Sequence, residues 1–395
     1  MSVDSPSPAA SPSLDAARLI ARRSAALDVS GIRRAFELGK TLADPINLSI
    51  GQPDFPVPEA IKQGAIDAIK ADRNGYTLTQ GADDLRASIE RHLAEDVGWT
   101  IGGDTSMCVT SGTSGGLLAA CLALLDPGDE IIIPDPYFVM YPALAEICGA
   151  TAVFCDTYPD MRMTADRVAA CITPRTKMVL LNSPGNPSGV VLDAAEVDRI
   201  AAVSREAGVV LVSDEIYDAF TYTDAREDGR CPSPARNDGN VLLVRGFGKT
   251  YGCTGWRLGW AAGPTWLIHE MLKLQQYTFV CAPSMAQAGA AAAFDVDMEP
   301  IVSSYARKRD MVLDILGDVT EVPRPGGAFY AFVEVPPSLG MSDTEFCEEA
   351  IRRNVIVIPG SVFSQRSTHF RISYATSDEK LERGLRALRD IMTGG

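Results

Sequence analysis

The sequence predicts an α/β fold: a large domain built on a mostly parallel sheet flanked by helices, followed by a smaller α+β domain. Three observations carry this. Short runs of β-branched and aliphatic residues recur between residues 106 and 244, with little polar alternation. Such runs are typical of strands buried on both faces. Helical segments and polar or glycine-rich loops separate them. After Pro300 the pattern changes to one long helix and then to strands mixed with helices.

The elements follow in order. The start, "MSVDSPSPAASPS", is rich in Pro and Ser and lacks a basic-then-apolar signal, so residues 1–14 are expected to form an unstructured tail. "ARLIARRSAAL" has some features of a transit peptide, but Asp4, Asp15 and Asp28 flank it, and organelle import is not expected. Residues 15–58, containing "INLSIGQPDFPVP", have strand and turn character and are expected to pack with the small domain. The large domain is expected over 59–296. Its strands are "SMCVT", "EIIIP", "TAVFC", "MVLLN", "GVVLVSD" and "NVLLV". Helices such as "TADRVAACI" and "DAAEVDRIAAVSREAG" lie between them, the second ending at Gly208. The small domain is expected over 297–395, with a helix over 301–316, strands "AFYAFVEV", "VIVIP" and "FRISYA", and a last helix capped by Ser377. No internal repeats are found.

Composition narrows the function. The 395 residues are 46% hydrophobic and 22% charged, with a formal charge of −15. That charge repels phosphate backbones, so nucleic acid is not an expected partner. An anionic ligand must be held by a local positive site. The longest apolar stretch, "GLLAACLALL", is shorter than the roughly 18 residues of a membrane span. Nine scattered cysteines without a C-x-x-C pair read as free thiols in a reducing, cytoplasmic setting. His92, His269 and His369 lie far apart, and no metal site is expected.

In open α/β sheets ligands gather at the carboxyl ends of the strands. After "SMCVT" come Ser111, Gly112, Thr113 and Ser114, which lead straight into a helix. They suit either a phosphate cradle at a helix N-terminus or a plain glycine-rich turn. After "EIIIP" comes Tyr137, either flat against a planar ligand or in the core. After "MVLLN", Asn186-Pro187 forces a turn and presents one amide. After "GVVLVS" comes Asp214, a costly buried carboxylate unless paired, or else a helix cap, with Tyr217 three residues on.

After "NVLLV" comes "RGFGKTYGCTGWRLGW", with Lys249 among glycines and Arg257 eight residues on. A triphosphate-binding loop would need glycine where Leu243 stands, followed by a clean helix. The other chemistry is an imine between a lysine amine and a cofactor aldehyde. Pyridoxal phosphate needs a carboxylate on its ring nitrogen, donors to its phenolic oxygen, a flat residue against its face and a phosphate cup. The residues after the strands supply that whole set.

The chain resembles the class I/II aminotransferases, the fold-type I family of pyridoxal-phosphate enzymes that includes aspartate aminotransferase. The likeness runs from about Ile46 to the last helix through "GQPDFPVP", "GYTLTQGADDLR", "VTSGTSGG", "PDPYF", "NSPGNPSG", "VSDEIY", "GKTYGCTGWRLGW" and "FRISYA". It implies a seven-stranded sheet and a role for each matched residue. Lys249 holds pyridoxal 5'-phosphate and moves the proton. Asp214 pairs with the ring nitrogen, Tyr217 and Asn186 contact the phenolic oxygen, and Tyr137 stacks on the ring. Gly112, Thr113, Ser114 and Arg257 form the phosphate site. Arg371 grips the substrate α-carboxylate, helped by Gly51 and Asn186. Tyr76 reaches the site of a neighbouring subunit, which implies a homodimer.

The family often reads S-x-S-K before its lysine; here Gly246 and Gly248 stand at those serine positions. A hydroxyl donor to the phosphate is therefore missing, and a positive φ at Gly246 is a second reason for glycine. Some aspartate-using members carry a lysine where this chain has Ser114. The expected activity is transfer of an amino group from an L-amino acid to a 2-oxo acid, with 2-oxoglutarate as acceptor. The alternatives are a carbon–sulfur β-lyase using the same cofactor and a non-catalytic cofactor-binding regulator. The first 45 residues are too short and too weakly basic for the DNA-binding domain such a regulator would carry.

Overall fold

The computed structural model describes residues 16–27 and 42–394. The tail expected over 1–14 lies outside them. Twelve strands are described in chain order: β1 Ile46–Asn47, β2 Thr105–Thr110, β3 Glu130–Asp135, β4 Thr151–Asp156, β5 Thr176–Asn182, β6 Val210–Asp214, β7 Leu242–Gly246, β8 Gly259–Pro264, β9 Tyr330–Glu334, β10 Val355–Ile356, β11 Ile358–Pro359 and β12 His369–Ser373. Seven form one sheet in the order β2-β8-β7-β6-β5-β3-β4. Only β8 runs against its neighbours; the other pairings are parallel.

Both faces of this sheet are covered, which explains the unbroken apolar runs. Ile131, Ile133, Leu180, Val212 and Val244 pack to one side with the helices Gly112–Leu124 and Met140–Cys148. Ile132, Val179, Leu181 and Leu211 pack to the other with Ala165–Cys171 and Ala194–Glu206. The second of these helices ends just before Gly208, whose φ of 70° turns the chain into β6.

The second core gathers Val302, Tyr305, Val312, Phe346, Leu381, Leu385 and Leu388 around the antiparallel sheet β11-β12-β9. Ile46 and Leu48 belong to this core, and β1 pairs in parallel with β10. Tyr217, Phe220 and Tyr222, which follow β6, enter it too. The carboxyl end of β6 therefore faces the second core, and a cleft forms there. Ser377 caps the last helix, Asp378–Met392, by accepting from the Lys380 N–H. No helix among the described residues is long and apolar enough to cross a membrane.

Candidate active site

A cavity of about 330 Å³ lies at the carboxyl ends of the parallel strands, where they meet the second core. Its lining includes Gly51, Gly112, Thr113, Ser114, Asn186, Asp214, Tyr217, Lys249, Arg257 and Arg371. Ten of the twelve residues named as site candidates are thus brought to one place from distant parts of the sequence.

One wall is the start of helix Gly112–Leu124. Gly112 has φ of 70°, and a Cβ on it would meet Nη2 of Arg257 at 2.8 Å. Only glycine allows that approach. Arg257 itself sits in the left-handed region with φ of 52°. Its Nη1 donates to the Thr254 carbonyl at 3.1 Å and its Nη2 to Ser114 Oγ at 3.4 Å. A guanidinium and the N–H groups of a helix N-terminus therefore share one anion-attracting corner.

Asp214 ends β6 and is buried. Burial raises its carboxyl to about 6, against the pull of a 2.8 Å hydrogen bond from Tyr141 and one from the Ile216 N–H. A poised carboxyl of this kind suits a protonated ring nitrogen. Asn182, at the end of β5, donates to the Asp214 carbonyl at 2.9 Å. Its Oδ1 accepts from the Asn186 N–H at 2.9 Å, which fixes the turn after β5.

Lys249 lies on the single-turn helix Phe247–Thr250 directly after β7. Burial lowers its amine to about 8, and Arg371 and Arg257 push in the same direction. Its Nζ donates to the Gly51 carbonyl. A Cβ on Gly51 would come within 2.6 Å of the Tyr330 hydroxyl, so no larger residue fits there. That hydroxyl also lies 3.1 Å from the hydroxyl of Tyr217.

Among the described residues two arginines are each only 1% exposed, and their surroundings differ in kind. Arg245, on β7, is paired with Glu215 and Asp96 at 2.8 Å and Asp218 at 3.2 Å, and these carboxylates hold its pKa well up. Arg371, on β12, has no carboxylate partner among the described residues. It donates to Asn186 Oδ1 at 3.0 Å and to the Ser49 carbonyl at 2.8 Å, and its Nε has no partner. It sits between the rings of Tyr330 and Phe363, 4.6 and 4.5 Å from their centroids. Burial lowers its pKa. A buried cation without a counter-charge is costly, and this one lines the same cavity as Lys249.

Two sequence candidates lie elsewhere. Tyr137 does not line the cavity. Its ring packs 5.3 Å from that of Phe154, and its hydroxyl accepts from Gln365 at 3.2 Å. The next residue, Phe138, lines the cavity instead; after Pro136 the chain turns the 137 side chain into the core. Tyr76 is 87% exposed and does not line its own chain's cavity. Sequence reasoning missed Tyr141, Asn182 and Tyr330. Asn182 ends one of the quoted strands, which was the available signal. Tyr141 lies in the first turn of helix Met140–Cys148, where no strand-end rule points. At Gly246 the φ is −165°, so the positive φ offered as a reason for glycine is absent. Space decides instead: a Cβ would meet Ile216 Cδ1 at 2.9 Å and Thr113 Cγ2 at 3.1 Å.

The chain is also similar to known proteins over most of its length. Residues 43–388 match the family described as aminotransferase class I and II. The chain is 37% identical to an aspartate aminotransferase of Rhizobium meliloti, over 86% of this chain and 87% of that one. It is 32% identical to aromatic-amino-acid aminotransferase 2 of Thermococcus litoralis, over 92% and 95% respectively. It is similar to the solved structure of Thermus thermophilus aspartate aminotransferase with maleate, with a TM-score of 0.86 and 31% identity over 94% of this chain and 99% of that one.

Proposed function

The chain belongs to the class I and II aminotransferases, which depend on pyridoxal phosphate, and from that premise we propose that it transfers an amino group from an L-amino acid to a 2-oxo acid, 2-oxoglutarate included, with Lys249 as the reacting amine. The observation that carries this is the pairing in one cavity of a half-buried lysine, its amine lowered to about 8, with a buried arginine that has no carboxylate partner among the described residues.

The residues fit the cofactor. The corner of Gly112, Thr113, Ser114 and Arg257 would hold its phosphate, and the clearance at Gly112 leaves the guanidinium free to face it. Asp214 would pair with the ring nitrogen, oriented by Tyr141. Asn186 and Tyr217 would serve the phenolic oxygen, and Phe138 lies in the wall where a flat ring would rest. Bound there, pyridoxal 5'-phosphate supplies an aldehyde for an amine and a ring that accepts electrons. Arg371 would take the substrate α-carboxylate as a two-pronged fork, aligned by Asn186 and Ser49. Lys249 would then accept the α-proton on its amine, where burial keeps a useful neutral fraction near neutral pH.

We also propose that two copies associate through the face bearing Tyr76, Leu78, Tyr277, Phe279 and Val280, all exposed. Phe279 adjoins the phosphate corner, lying 3.6 Å from where a Cβ on Gly115 would stand. Tyr76 of one copy would reach the phosphate site of the other.

The test is spectroscopic. An amino acid should change the absorbance of the bound cofactor, and a 2-oxo acid should restore it. A change that a 2-oxo acid cannot reverse, with loss of the substrate's side-chain group, would point to β-elimination. Lys249→Ala should lose the imine absorbance and lower turnover by at least about a hundredfold, the lower range for a missing general base. Near-normal turnover of that variant without added amine would overturn the assignment.

A further inference from the structure

The segment Leu48–Phe55 runs along the cavity as a strap tied at both ends. At its start, the Leu48 N–H donates to Ile356 O at 2.9 Å and its carbonyl accepts from Ser373 N at 2.7 Å. At its other end Asp54 is held by one face of helix Glu299–Leu316. Its carboxylate accepts from the Tyr305 hydroxyl and, at 2.9 Å, from Lys308 Nζ. Its N–H donates to the same hydroxyl at 3.2 Å. Tyr305 and Lys308 are both buried and three residues apart, so they stand on one face of the helix. Phe55 adds an edge-on contact with the Tyr305 ring at 6.2 Å. Between these ties the strap offers two carbonyls to the two cations of the site: Ser49 O to Arg371 and Gly51 O to Lys249. A Cβ on Gly51 would meet the Tyr330 hydroxyl at 2.6 Å, so Tyr330 backs the strap at that point. Asp54 itself lies outside the cavity lining.

We infer that Asp54, gripped by Tyr305 and Lys308, is a positioning residue: it holds the strap so that Ser49 aims Arg371 at the carboxylate shared by every amino and 2-oxo acid substrate. Among the described residues the guanidinium has only two acceptors, Asn186 Oδ1 and Ser49 O. A small shift of the second turns the fork away from its target, and a displacement of one ångström costs catalysis heavily. This inference rests on the proposed role of Arg371.

The experiment uses the holoenzyme and 2-methylalanine, an amino acid without an α-proton, whose binding is read from the cofactor absorbance without turnover. Asp54→Ala should raise its dissociation constant about tenfold or more, and raise KM for all amino and 2-oxo acids together. The fall in kcat should be smaller, and cofactor affinity should hold, because the phosphate corner is not on the strap. Lys308→Met, which keeps the Tyr305 hydroxyl on Asp54, should give a smaller rise in the same direction; it decides the matter if Asp54→Ala does not fold. In an Arg371→Lys background, Asp54→Ala should add no more than about twofold, because the two act through one contact. If Arg371→Lys leaves the dissociation constant unchanged, the carboxylate reading fails and the inference with it. If Arg371→Lys raises it while Asp54→Ala and Lys308→Met only lower the melting temperature, Asp54 is structural and the inference alone is overturned.

Discussion

Gly246 stands against Ile216, Thr113 and the Leu258 carbonyl in extended backbone. Any side chain there presses on Thr113, a residue of the proposed phosphate corner. Overpacking of this kind costs roughly 1–3 kcal/mol, while a hydroxyl that reached the phosphate would return about 1.5–3 kcal/mol. Gly246→Ala should therefore release cofactor more readily than wild type on dialysis, and Gly246→Ser should recover part of that loss. If serine retains cofactor no better than alanine, the hydroxyl does not reach the phosphate. At this scale the sequence was readable wherever a residue followed a buried strand: Asp214, Asn186, Lys249 and the start of helix Gly112–Leu124 lie at the cavity. It was not readable one residue away. Tyr137 and Phe138 are both aromatic, and only the turn after Pro136 decides which of them faces the cavity.

Helix Asp378–Met392 shows what an element contributes. Leu381, Leu385, Leu388 and Ile391 fall on one face and are buried in the second core. Leu385→Ala should lower stability by about 2–5 kcal/mol through the lost contacts and the cavity left behind, measured by denaturant unfolding. Activity per folded molecule should hold, since Leu385 does not line the cavity. A loss below about 1 kcal/mol would mean that the neighbours collapse into the gap. This helix was legible from its Ser377 cap, followed by Asp378 and Glu379 in the first turn. Strand β8 was not: "GWAAGP" has too many small residues to read as β-structure, and it is the one strand of the seven-stranded sheet that runs against its neighbours. "VIVIP" reads as one strand, yet its first half pairs with β1 and its second with β12. Pairing across such distances leaves no mark in local composition.

For the whole molecule, the proposed association of two copies makes a test that a single chain cannot. Tyr76 is exposed on its own chain. Tyr76→Phe should weaken cofactor binding by about tenfold through one lost hydrogen bond to a charged group. A hybrid of one Tyr76→Phe chain and one Lys249→Ala chain should then contain one complete site, because the intact lysine is served by the other chain's tyrosine. Wild-type cofactor affinity at half the site number would support the crossing. A hybrid as weak as the Tyr76→Phe homodimer would place Tyr76 in its own chain's site. The contrast between Arg245 and Arg371 bears on the molecule's history as well. Arg245 is matched by three carboxylates; Arg371 is matched by none among the described residues. A drift to Asp or Glu beside Arg371 would neutralise a buried charge, firm up the fold and occupy the fork permanently. Lineages carrying such a change would keep a sturdier protein and lose its trade. Selection on the surroundings of Arg371 therefore acts chiefly through what those neighbours are forbidden to become.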